Sequence, residues 1–148
     1  MRFSSGLLPT LMTLLACTDP TLDPPLQEVP LPASPTVQEV AGSYNATTFT
    51  TREGGVTIDR LAQGALLDIV LQADSTTTGR LFVPDGAEDG GDFDANLAGT
   101  WVLRGDTVEF DHMADTFVRD MPFVFSNNKL TGERTFGTTT VLVVLSKQ

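Results

Sequence analysis

The sequence predicts an all-β domain, a sandwich or a barrel, on three observations. From about Val40 onward, short alternating or apolar segments are broken by Gly, Asn and Asp at intervals of about 8 to 12 residues. No long helical period occurs, while Thr and Val, which fit a pleated surface, are abundant. Two dipeptides, Gly105-Asp106 and Asn127-Asn128, tolerate the positive φ that two-residue hairpin turns require.

Taken in order, strands are expected near Ser43 to Thr51, Ala65 to Ala73, Gly79 to Pro84, Leu97 to Arg104, Thr107 to His112, Phe117 to Phe125, Lys129 to Phe136 and Thr139 to Lys147. The hairpin dipeptides make the second half a meander. Between the first two strands, Val56 to Gly64 is too short for a full helix; Asp59 can cap one turn ending at Gly64, which would plug a barrel end. In Thr107 to His112 the residues Val108, Phe110 and His112 share one face, and Thr107, Glu109 and Asp111 share the other. The same parity puts Arg134 with Leu130, Gly132 and Phe136, and Arg119 with Phe117, Met121, Phe123 and Phe125. Both arginines are thus expected to face inward, where desolvation demands a carboxylate, a carbonyl or an aromatic face.

Length and charge narrow the function classes. A chain of 148 residues suits one core. The formal net charge is -10 and no run of three Lys or Arg occurs, so the counterion release that drives nucleic-acid binding has no source. Nucleic acid is not expected as a partner.

Val40-Ala41-Gly42-Ser43-Tyr44 is echoed by Leu97-Ala98-Gly99-Thr100-Trp101: an apolar residue, Ala, Gly, a hydroxyl residue and a large aromatic. Gly42-Ser43-Tyr44 on the first strand, Gly99-Thr100-Trp101, eight expected antiparallel strands and a late inward Arg134 resemble the lipocalin-like (calycin) barrels. In that family a Gly-x-Trp on the first strand packs under a basic residue from a late strand; Tyr44 stands here in place of the Trp. The resemblance covers about residues 40 to 148 and implies a single eight-stranded up-and-down barrel. It implies barrel closure by Gly42, Tyr44, Gly99, Trp101 and Arg134, with Tyr44 or Trp101 as the ring partner of Arg134. The residues themselves equally allow Arg134 to pair with a carboxylate such as Glu109 or Asp120.

The N-terminal region carries the sharpest motif. Met1-Arg2 gives a small positive start, and Gly6 to Ala16 an apolar run within the roughly 7 to 15 residues of a signal-peptide core. That run is shorter than the about 20 residues a membrane-spanning helix needs. Leu14-Leu15-Ala16-Cys17 resembles the lipobox of bacterial lipoproteins, and Cys17 is the chain's single cysteine. The resemblance implies removal of residues 1-16 and lipidation of Cys17 with diacylglycerol and a further acyl chain such as palmitate. Residue 18 is Thr rather than the inner-membrane retention Asp, so delivery to the outer membrane is expected, facing the periplasm or the cell surface. Residues 17-39 hold six prolines between Pro20 and Pro35 and read as an extended tether, leaving 40-148 as the barrel domain.

Chemical sites are sparse. His112 is the only histidine, with Asp111, Asp115 and Asp120 nearby in sequence. No metalloprotease or nucleophile-elbow motif accompanies it, so it reads as a strand-end residue bonding locally. Asp85 to Asp94 places five acids and three glycines in ten residues without EF-hand spacing and reads as a solvated loop over a barrel end. No catalytic residue, metal or cofactor is expected, and the chain is expected to act as a monomer. An eight-stranded barrel is wide enough either to fill with side chains or to hold one small ligand. Phe82, Trp101, Leu103, Phe110, Met121 and Phe123 would line such a site for an apolar molecule or lipid; a packed core would use the same residues.

Overall fold

The computed structural model describes residues 33–148. The expected signal peptide, Cys17 and the tether through residue 32 lie outside them. A one-turn helix α1 (Val37–Val40) precedes β1 (Gly42–Glu53), β2 (Val56–Asp59), β3 (Leu66–Leu71), β4 (Thr76–Val83), β5 (Phe93–Asn96), β6 (Gly99–Arg104) and β7 (Thr107–His112). A second helical turn, α2 (Phe117–Asp120), leads to β8 (Phe123–Ser126), β9 (Lys129–Phe136) and β10 (Thr139–Lys147).

These segments make eight staves, because β2 and β3 both pair with β1, and β5 and β6 both pair with β4. Every neighbour in the sheet is antiparallel, and β10 returns to pair with β1 from Tyr44↔Lys147 to Glu53↔Thr139, closing an up-and-down barrel. The architecture is compatible with a lipocalin-like fold. Closure removes the exposed sheet edges that would otherwise recruit other chains.

The turns follow from residue type. Asn127 and Asn128 sit at φ 51° and 59° between Ser126 and Lys129, and Gly105 at φ 65° between Arg104 and Thr107. These two hairpins, the β3–β4 turn and the entering chain lie at one end, here the entry end. The opposite end, the mouth, carries the β1–β2 and β9–β10 turns, the loop 84–92 and α2.

Alternation puts Leu67, Ile69 and Leu71 of β3, Val108 and Phe110 of β7, and Val141, Val143 and Leu145 of β10 into one buried cluster with Tyr44, Trp101 and Phe123. Phe110 and Phe123 meet edge to face at 5.5 Å, the arrangement that aligns ring edge with ring face charge. At the entry end Val40 of α1 is fully buried, and Thr36 caps α1 through a reciprocal bond with Glu39. Residues 37 to 39, read from sequence as the end of the tether, thus begin a plug over the barrel floor.

The expected strand Phe117 to Phe125 is corrected to α2 followed by the shorter β8. Pro122 cannot donate to a ladder, and the Asp115 and Asp120 carboxylates both bind Arg119, which fixes a turn there. Arg119 therefore lies at the surface and not inside. Two short strands, β2 and β5, were not expected. Asp59 ends β2 and its Oδ1 accepts from the Ala62 amide at 3.2 Å, with Gly64 at φ 93° ending the turn.

Candidate functional site

The interior toward the entry end is occupied by side chains, and the space that remains is a cup at the mouth. Its volume is about 360 Å³, lined by Phe49, Leu81, Val83, Phe93, Phe117 and Val141, with Thr51, Arg60, Thr116, Asp85, Gly86 and Asp115. Phe49 and Thr51 share the inner face of β1 beyond its bulge, and Leu81 and Val83 the inner face of β4. α2 lays Phe117 across the opening, its ring centroid 5.2 Å from that of Phe49. The turn after β2 folds Arg60 to the same place, where its backbone amide bonds the Phe49 carbonyl at 2.8 Å. Arg60 Nε donates to Thr51 Oγ1 at 2.9 Å and Nη1 to Gln63 Oε1 at 3.2 Å. No carboxylate among the described residues lies within ion-pair distance of Arg60, whereas Arg80 and Arg104 each have one and Arg119 has two.

None of the six residues expected from sequence lines this cup. Trp101, Phe110, Met121 and Phe123 are buried in the packed interior, and Leu103 is half-buried against it. Phe82 is a correction: it lies on the outer face beside Arg80, whose guanidinium carbon is 5.3 Å from its ring. Leu81-Phe82-Val83 is an unbroken apolar run, so alternation did not declare its inward face; the pairings Leu67↔Leu81 and Leu81↔Ala95 do. Phe110 and Met121 border a separate depression of about 300 Å³ with Arg119, Asp120 and Arg134. There Arg119 is engaged by both Asp115 and Asp120.

For Arg134 the ring partner is corrected: neither Tyr44 nor Trp101 meets it, while a carbonyl and an aromatic face, as its side of β9 demands, do. It is exposed at the mouth, donates to the Asp120 carbonyl and lies 5.3 Å over the Phe136 ring. β8 begins only at Phe123, so α2 rather than a strand flanks Arg134, and Tyr44 and Trp101 lie toward the entry end. The basic residue beside Gly42 and Tyr44 is Lys147 of the last strand, whose Nζ donates to the Glu39 carbonyl at 2.6 Å. A Cβ at Gly42, where φ is 151°, would strike the Lys147 chain. Trp101 donates from Nε1 to the Gln72 carbonyl at 2.9 Å, and Gly99 backs directly onto Asp111 and His112 of β7.

His112 is only 5% exposed, and its Nδ1 is 3.0 Å from the Ala114 carbonyl. Among the described residues its Nε2 has no partner, and no carboxylate lies within hydrogen-bond distance of the ring. Burial, aided by the Arg119 charge, holds its pKa below the ordinary histidine value. Tyr44, fully buried, is pushed up to about 12 by desolvation. Among the described residues no group of three His, Cys, Asp or Glu side chains is placed to hold a metal ion. In the acidic loop the Asp92 and Asp89 carboxylates accept from the backbone amides of Asp85 and Gly91. A groove of about 710 Å³ at the entry end is lined by residues 33 to 36, Glu39, Phe125 to Asn128 and Lys147.

Arg60 was missed from sequence, although a signal was present. Gly54-Gly55, with φ of 55° and 83°, is a hairpin dipeptide that announces β2, and β2 delivers Arg60 to the mouth. Comparison with protein-family models, curated proteins and solved structures finds no match.

Proposed function

We propose that this chain is a lipid-anchored protein of the bacterial envelope whose barrel receives a small apolar molecule or lipid in the cup at its mouth. One observation carries the ligand reading: six apolar side chains, three of them Phe, surround about 360 Å³ of space at one end of a barrel that is otherwise packed. Cavities of roughly 300 to 1,000 Å³ with a few polar groups are the usual form of small-molecule sites. The anchor rests on Leu14-Leu15-Ala16-Cys17 and the proline-rich stretch after it. Two or more acyl chains, at about 0.8 kcal/mol per buried methylene, would hold the protein stably to an outer membrane, as a monomer facing periplasm or cell surface. The role is binding without catalysis.

Native mass spectrometry of protein recovered from its own cells tests the ligand reading. A non-covalent small-molecule adduct that disappears in Val141→Trp, which fills the cup, is the expected result; the same spectrum with and without the substitution would refute it. For the anchor, the native chain should incorporate labelled palmitate and sediment with membranes, and Cys17→Ser should do neither. A second reading, a structural or interaction module of the envelope, is favoured by the packed interior, in which Trp101, Tyr44 and Phe123 are buried. It gains if no adduct is found and envelope proteins are recovered with the barrel.

A further inference from the structure

The cup holds an uncommitted cation. Arg60 is half-buried among apolar side chains, and its two hydrogen-bond acceptors, Thr51 Oγ1 and Gln63 Oε1, are neutral. Among the described residues, Nη2 and one hydrogen of Nη1 have no acceptor. A guanidinium's planar fork matches a carboxylate in two parallel hydrogen bonds, so an anionic head is the group that completes it. The carboxylates at the cup are differently placed. Asp85 and Asp115 are exposed at its rim, and Asp115 is held by Arg119.

Resting on the ligand-cup reading, we propose that the cup selects an acidic amphiphile: an apolar body with a carboxylate head bound by Arg60. At about 30 Å³ per water-sized group, the volume accommodates on the order of a dozen non-hydrogen atoms. A ten-carbon monocarboxylate is therefore a suitable probe. The apolar body lies against Phe49, Phe93, Phe117 and Val141, and the acidic rim faces water and disfavours more highly charged anions.

The test is calorimetric titration of the full chain with decanoate, decanol and decylamine, each kept below its aggregation concentration. Decanoate should bind at least about tenfold more tightly than decanol, with decylamine weakest. Arg60→Gln should bring decanoate down to the decanol value and leave decanol unchanged; Arg60→Lys should recover part of the preference. Equal binding of decanoate and decanol to the native chain, or a preference that survives Arg60→Gln, overturns the head-group assignment and leaves the cup as a site for neutral ligands. Failure of all three probes to bind overturns the cup itself. The probe series on the native chain decides even if a variant does not fold.

Discussion

The Tyr44 hydroxyl donates to the Val40 carbonyl, tying the first inward ring of β1 to the helical turn that precedes the strand. Both residues are fully buried, and the bond spans the short link between the entry-end plug and the barrel wall. Tyr44→Phe keeps the ring and removes the donor, leaving a buried carbonyl unpaired. A loss of about 1–3 kcal/mol is expected. Urea unfolding should show a lower midpoint at unchanged slope, and an unchanged midpoint would mean that the bond adds nothing.

Phe123 and Phe82 provide a paired contrast between the two faces of the wall. Phe123→Ala removes a fully buried ring in edge contact with Phe110 and should cost about 3–5 kcal/mol. Phe82→Ala, on the outer face, should cost about 1 kcal/mol or less. Thermal melts of the two variants check the assignment, and similar losses would mean that the inward face of β4 had been misassigned.

Gly99 is needed for close approach. A Cβ there would sit 2.8 Å from the His112 Cβ and 2.9 Å from its Cα, and nearer still to the Asp111 carbonyl oxygen. These are backbone and near-backbone atoms that cannot swing aside, so Gly99→Ala should cost about 1–3 kcal/mol and loosen the β6–β7 ladder. Amide exchange at Trp101 and Phe110 should accelerate in the variant if that is so.

How much of this was legible in the sequence depended on the pattern carried by each segment. β7 matches the expected bounds because a clean alternation marks it, and β9 and β10 because turns that Asn or Gly makes easily bound them, and the up-and-down barrel follows from them. The Leu81-Phe82-Val83 run gave no alternation, and its outward ring was misread. Phe117 to Phe125 looked like a strand because apolar residues dominate it; the ion pairs of Arg119 and the missing amide of Pro122 decide otherwise. The cup was invisible for a physical reason. It is made where strands stop, from Phe49, Arg60, Phe93 and Phe117 on four separate segments, and no periodicity relates them.

His112 predicts a pH dependence of stability. Its folded-state pKa lies below the unfolded value near 6.5, because burial disfavours the charged ring. The unfolded chain therefore binds the proton more readily. The stabilising contribution is complete above pH 6.5 and falls as pH drops through that value toward the folded pKa. The carboxylates of Glu39, Asp74, Asp94 and Asp120, all shifted downward by hydrogen bonds, titrate well below this window. Urea midpoints should decline as pH falls below about 6.5 in the native chain and stay level in His112→Leu; a parallel decline in both would assign the effect elsewhere.

The β1–β10 seam also sets how the fold answers to force. Gln148 donates its backbone amide to the Ser43 carbonyl at 2.9 Å, so the barrel's first strand begins beside its last residue. Pulling those neighbouring ends apart loads the seam one rung at a time, as a zipper opens, because antiparallel hydrogen bonds run across the strands. Pulling between the entry end and the Gly137 turn at the mouth runs along the strands and loads many rungs together in shear. The barrel is mechanically anisotropic, yielding when its termini are separated and stiff when stretched along its length.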